Sequence, residues 1–89
     1  MDNDESVRLR KYLLRLRREW TLTNRAQPRT VYLPAHSAQV LLDDLLQRIE
    51  DETEHKRISD LGLSAVYGGS VFGMEIRPSL TGHPEVGVE

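Results

Sequence analysis

The chain has 89 residues, with 12 Lys and Arg against 14 Asp and Glu, three His and no Cys. That length accommodates one small domain, in which only about 60–65% of the unfolded surface is buried on folding, leaving little room for a deep substrate cavity. The absence of cysteine excludes disulfide staples, thiolate chemistry and Cys-ligated zinc. With 38% hydrophobic and 29% charged residues, the composition is that of a globular domain rather than a disordered or membrane-embedded one.

The near-neutral total conceals a division of charge. Residues 1–30 carry eight bases against four acids, a net of +4; residues 31–89 carry four bases against ten acids, a net of −6. Such asymmetry implies oppositely charged surfaces that meet within the fold, between protomers or at a partner.

Taken in chain order, residues 5–21 read as an amphipathic helix. Leu9, Tyr12, Leu13, Leu16 and Trp20 recur at spacings of three and four and form one apolar stripe. Asp2, Asp4 and Glu5 lie near its start and Arg17 and Arg18 near its end, matching the helix dipole. Residues 21–28 read as a loop, and Arg29 to Leu33 as a short strand stopped by Pro34. A second helix starts near Ala35, its core face formed by Ala38, Leu41, Leu42, Leu45, Leu46 and Ile49; its end is open between a break near Thr53, which the end of the stripe favours, and a stop at Gly62 preceded by Lys56 and Arg57. Residues 63–67 and 71–76 read as strands around a turn at Gly68-Gly69-Ser70, while Gly73 marks a bulge or a close backbone approach. Residues 78–84 form a loop, and Val86 and Val88 a short edge strand. The expected fold is a single α+β domain over residues 1–89, with residues 1–4 frayed. Two helices pack on one face of a three- or four-stranded antiparallel sheet, in the order α-β-α-β-β with a further short strand.

Little in the chain points to catalysis. His36, His55 and His83 are widely separated and make none of the short spacings of metal sites. Phosphate loops, dinucleotide fingerprints and nucleophile elbows are missing, and Gly68-Gly69-Ser70 lacks the Lys and following helix of a phosphate cradle. The expectation is a non-enzymatic protein without metal or cofactor. No apolar run is long enough to span a bilayer, and the acidic N-terminus lacks the pattern of a secretory leader. A soluble cytoplasmic protein is therefore expected.

Two charged segments are the candidate sites. The first is the basic helix, where six of eleven residues are cationic: Arg8, Arg10, Lys11, Arg15, Arg17 and Arg18. Such a face suits an acidic protein surface or the phosphates of a nucleic acid. Val7 and Leu14 lie among these bases, the mixture of Arg and apolar anchors found in contact patches, and a homodimer is one arrangement that would use them. The second segment is acidic: Asp43, Asp44, Glu50, Asp51 and Glu54, with Glu52 between them. If the second helix ends near Thr53, these carboxylates oppose its C-terminal dipole, a breach of local rules of the kind found at functional sites.

Arg29 to Pro34, followed by an amphipathic helix, resembles the opening of ribbon-helix-helix DNA-binding proteins. In that family a strand from each of two chains pairs and enters the major groove. The chain departs from the pattern in having 28 residues before the strand and a hairpin where the family has a second long helix, so no residue role is carried over. The expected protein is a small regulatory one, on the scale of adaptors, inhibitors and mobile-element accessory proteins. It binds a protein partner through its charged helix faces; the alternative is a nucleic-acid-binding regulator using the basic helix.

Overall fold

The structure, a computed structural model, describes residues 4–88. It is an α+β fold of three α-helices and a four-stranded mixed sheet. Helix α1 (Asp4–Asn24) leads into β1 (Thr30–Leu33), followed by α2 (Ala35–Arg48) and α3 (Glu52–Leu61). A 3-10 turn (Gly62–Ala65) precedes β2 (Ser70–Val71), β3 (Met74–Pro78) and β4 (Glu85–Gly87). Asp2 and most of the segment expected to fray lie outside the described residues, and Asp4 already belongs to α1.

Helix α1 is longer than its apolar stripe suggested. It runs six residues past Arg18, so its last turn holds no base and Arg17 and Arg18 do not complement the dipole there. Its end is closed by side chains: the Thr21 hydroxyl donates to the Arg17 carbonyl at 2.7 Å and the Asn24 amide to the Trp20 carbonyl at 2.9 Å. Arg25 then adopts φ +55° and ends the helix.

Pro34 precedes α2 with its carbonyl accepting from the amides of Ser37 and Ala38, both at 3.0 Å. Ile49 is extended and breaks the helix ahead of the expected point. Asp51 then caps a separate helix, accepting from the Thr53 amide at 2.9 Å. Gly62, at φ +58°, ends α3 by donating to the Ile58 and Ser59 carbonyls.

The sheet order is β2-β3-β1-β4. Strand β1 is parallel to β3, pairing Val31 with Ile76, and antiparallel to β4, pairing Val31 with Val86. The expectation of two helices on an antiparallel sheet is corrected on both counts. The passage through α2, α3 and the 3-10 turn is a long helical crossover, the kind of connection a parallel pair requires. Because β1 is flanked on both sides within its own chain, it cannot form the inter-chain ribbon of the ribbon-helix-helix arrangement.

The expected strand at residues 63–67 is also corrected. Leu63 to Ala65 belong to the 3-10 turn, and Val66 and Tyr67 extend it, with the Val66 amide on the Leu63 carbonyl at 2.9 Å. Tyr67 fixes this segment to the sheet by donating its hydroxyl to the Leu33 carbonyl at 2.9 Å. The hairpin turn lies at Phe72-Gly73 rather than at Gly68-Gly69-Ser70, as the Val71–Met74 pairing shows. Both turn residues have positive φ, +50° and +78°, as a two-residue type I′ turn requires.

One face of the sheet supplies Val31, Leu33, Met74, Ile76 and Val86 to the core, where they pack with Leu13 of α1, Ala38, Leu41 and Leu42 of α2, and Ile58 of α3. Strand alternation puts Tyr32, Glu75, Arg77 and Glu85 on the opposite face, where Arg77 pairs with Glu75 at 2.9 Å.

Candidate functional site: the charged helix faces

The buried side of α1 centres on Ser6 and Leu13, with Leu9, Leu16 and Trp20 half-buried along it. That orientation divides the six bases. Arg8, Lys11, Arg15 and Arg18 are exposed and spaced three, four and three residues apart. They therefore form one row within roughly 80° of the helix circumference and about 15 Å long. Arg15 donates to Glu19 on the same helix at 3.0 Å; Arg8, Lys11 and Arg18 make no ion pair among the described residues. Val7 and Leu14 border this row on one side and remain exposed, and Leu22 continues it toward the helix end.

Arg10 and Arg17 turn inward. The Arg10 Nη1 lies 2.9 Å from Asp44 Oδ2 on α2 and donates to the Ser6 hydroxyl on its own helix. Arg17 is half-buried, with its Nε shielded from water and unbonded. Both therefore leave the exposed basic face, because they sit on the flank of α1 turned toward the rest of the fold.

The acidic segment divides in the same way. Asp44 is buried, its carboxylate held between Arg10 and, at 3.2 Å, Arg48. Both cations meet Oδ2 at ion-pair distance without hydrogen-bond alignment. Asp44 thus ties α1 to α2 and is withdrawn from any exposed patch. Asp43 is exposed and accepts from Gln39 at 2.8 Å. Asp51 is the cap of α3, and Glu52 and Glu54 occupy its first turn. Glu54 takes a two-point contact from Arg57 of the same helix, and that hydrogen bonding holds its carboxyl below the ordinary glutamate range. Glu50 is exposed between the two helices.

The expected clash of the acidic segment with a helix dipole is therefore reversed. Asp51, Glu52 and Glu54 lie at the positive end of α3, where carboxylates are stabilising, rather than at the negative end of α2. Nor do Arg15 or Arg18 reach Glu50 or Glu54; Arg10–Asp44 is the ion pair that joins α1 to α2 among the described residues. The signal for that pair lay in the wheel, where Arg10 stands on the Leu13 side of α1.

The histidines stand on three separate elements: His36 opens α2, His55 lies on α3, and His83 lies in the last loop 3.3 Å from Glu85. Among the described residues no group of three or more metal-ligating side chains converges. A hollow of about 570 Å³ between residues 26–29, Gly73 and Val88 holds Arg29 as its one ionisable side chain. No helix of the described chain is long and apolar enough to cross a membrane. Comparison with protein-family models, with curated proteins and with solved structures finds no match for this chain.

Proposed function

We propose that this chain is a non-catalytic interaction module that docks the exposed basic row of α1 on an acidic protein surface. The observation that carries this reading is the contrast between the two charged segments. Asp51, Glu54 and Asp44 are used locally, by the α3 cap, the contact with Arg57 and the bridge to Arg10, while Asp43 and Glu50 stay exposed. Arg8, Lys11 and Arg18 have no such use among the described residues. Neighbouring cations of the row, Arg8 with Lys11 and Arg15 with Arg18, stand three residues apart and repel one another, which an acidic counter-surface would relieve. Val7, Leu14 and Leu22 add apolar anchors beside the Arg row, the composition of a protein contact rather than of a phosphate track.

A nucleic-acid ligand is the second reading, favoured by the straight four-cation row alone. It would give a steep salt dependence, with log-log slope near −3.6 on duplex DNA if all four cations met phosphates. Affinity capture from the native cell, with and without nuclease, separates the two. Capture by the wild type that survives nuclease and is lost in the quadruple variant Arg8→Glu, Lys11→Glu, Arg15→Glu, Arg18→Glu supports the protein reading. Capture retained by the quadruple variant refutes it, and capture abolished by nuclease replaces it with the second reading. The variant Asp43→Lys, Glu50→Lys serves as the control and retains capture.

A further inference from the structure

Outside the basic row the surface carries a knob and a hole. The knob is Leu80, the most exposed apolar side chain of the described fold, at 104% of its reference exposure. Its loop is braced on both sides. The Ser79 amide donates to the Leu33 carbonyl at 3.0 Å, fixing the loop to the end of β1. The Ser79 hydroxyl accepts from the Thr81 amide at 3.0 Å, and the single hydroxyl hydrogen of Thr81 is shared between the His83 carbonyl at 3.1 Å and Glu85 Oε1 at 3.2 Å. A leucine presented by so constrained a loop loses little conformational freedom on insertion, the condition for an effective anchor.

The hole lies on the far side of the sheet order from β4, where α2 overhangs the edge strand β2. Leu41, Leu45, Val66, Val71 and Ile76 line an apolar cleft of about 170 Å³, with Arg10 at its rim. That is well below the roughly 300–1,000 Å³ of small-molecule pockets, and suits one aliphatic side chain. Charge matches as well as size. Arg10 uses Nη1 for its contacts to Asp44 and Ser6, leaving other donors of its five-hydrogen guanidinium for an incoming carboxylate. Beside Leu80, Glu85 receives Thr81 and His83 on Oε1 and keeps Oε2 for an incoming donor.

We propose that the cleft receives Leu80 from a second copy of this chain, with Glu85 of the inserting copy facing Arg10 of the receiving copy. Knob and hole are different surfaces, so the contact is head-to-tail. It leaves the basic row of α1 open, so it stands or falls separately from the docking reading. Burial of the leucine and of the cleft lining it covers, with the Glu85–Arg10 contact beside them, sets at best a weak association, with Kd on the order of 1 mM.

Sedimentation equilibrium tests this on the full chain, with circular dichroism confirming that each variant is folded. The wild type should exceed the monomer mass of 10.2 kDa as its concentration rises toward about 1 mM. Leu80→Asp (no knob) and Leu45→Glu (blocked hole) should each stay monomeric, and Glu85→Arg should weaken association at least about 3-fold. An equimolar mixture of Leu80→Asp and Leu45→Glu should associate again, because the first keeps the hole and the second the knob. A wild type monomeric at about 1 mM, association unchanged by Leu80→Asp, or no recovery in the mixture would each overturn the proposal.

Discussion

Replacing Asp44 by Ala removes the one carboxylate that joins α1 to α2 among the described residues. Its side chain is 8% exposed and lies between Arg10, 33% exposed, and Arg48, 70% exposed. Breaking a fully buried pair typically costs about 3–5 kcal/mol, because the remaining charge is stranded. Here the stranded guanidinium of Arg10 retains access to water and its contact with Ser6, and the Oδ2 contacts lack hydrogen-bond alignment. The expected loss is therefore smaller, about 2 kcal/mol, or about 8–16 °C in melting temperature for a domain of this size. Arg48→Ala should cost no more than about 0.5 kcal/mol, as for other exposed i,i+4 pairs. Arg10→Ala should fall between them, since it leaves Asp44 with its exposed partner alone. Urea unfolding followed by circular dichroism and by the fluorescence of Trp20, the single tryptophan, gives all three values. An Asp44→Ala change within about 0.5 kcal/mol of wild type, or an Arg48→Ala loss as large as that of Arg10→Ala, would refute the assignment of Asp44 as a structural bridge.

Two further outcomes test the local structure. Gly73→Ala places a side chain at φ +78° where its Cβ meets no neighbour, so the cost is backbone strain alone, about 1 kcal/mol. Gly82→Ala, in open space without a positive φ, should stay within about 0.5 kcal/mol of wild type; equal losses at both positions would contradict the type I′ turn. Glu54 should titrate below 4.5, the ordinary glutamate value, because Arg57 hydrogen-bonds its ionised form. Its contribution to stability is present above that ordinary range and lost as pH falls through the depressed folded value. Carboxyl NMR should show the midpoint rising in Arg57→Gln; an unchanged midpoint would mean that the contact is not formed in solution.

The helices were legible where periodicity extended over several turns. Leu9 to Trp20 marked α1 and Ala38 to Ile49 marked α2, because a buried face repeats every three or four residues whatever it packs against. The end of α1 and the start of α3 were less legible, since they depend on side-chain caps and on a single extended residue, Ile49. The stretch from Leu63 to Tyr67 misled because a short apolar run suits a strand or a tight helical turn equally, and contact with α2 and α3 decided between them. The hairpin was misplaced by one physical exception. Phe72 adopts a positive φ that bulky residues avoid, so the glycine pair four residues earlier gave the stronger local signal. Strand direction was illegible in principle, because it depends on how far α2 and α3 carry the chain back before β3 begins.

The same distinction governs the charges. Composition showed how much charge each half carries, while helix phase and helix boundaries determine how much of it is spare. Moving the helix boundary from near Thr53 to Ile49–Asp51 converts Asp51, Glu52 and Glu54 from dipole-opposing anomalies into a favourable N-terminal turn. With the anomaly gone, the dipole argument no longer singles out these three carboxylates. Rotating α1 so that Ser6 and Leu13 face inward takes Arg10 and Arg17 out of the basic surface and gathers the other four bases into a row. The segregated charge of +4 and −6 thus has unequal standing. In the acidic segment Asp44, Asp51 and Glu54 are engaged in bridging, capping and pairing, whereas in the basic row Arg15 alone has an ion-pair partner, Glu19, among the described residues. The proposed docking would give these cations a counter-surface, which is why the quadruple reversal on α1, rather than any change to the acidic segment, is its decisive test.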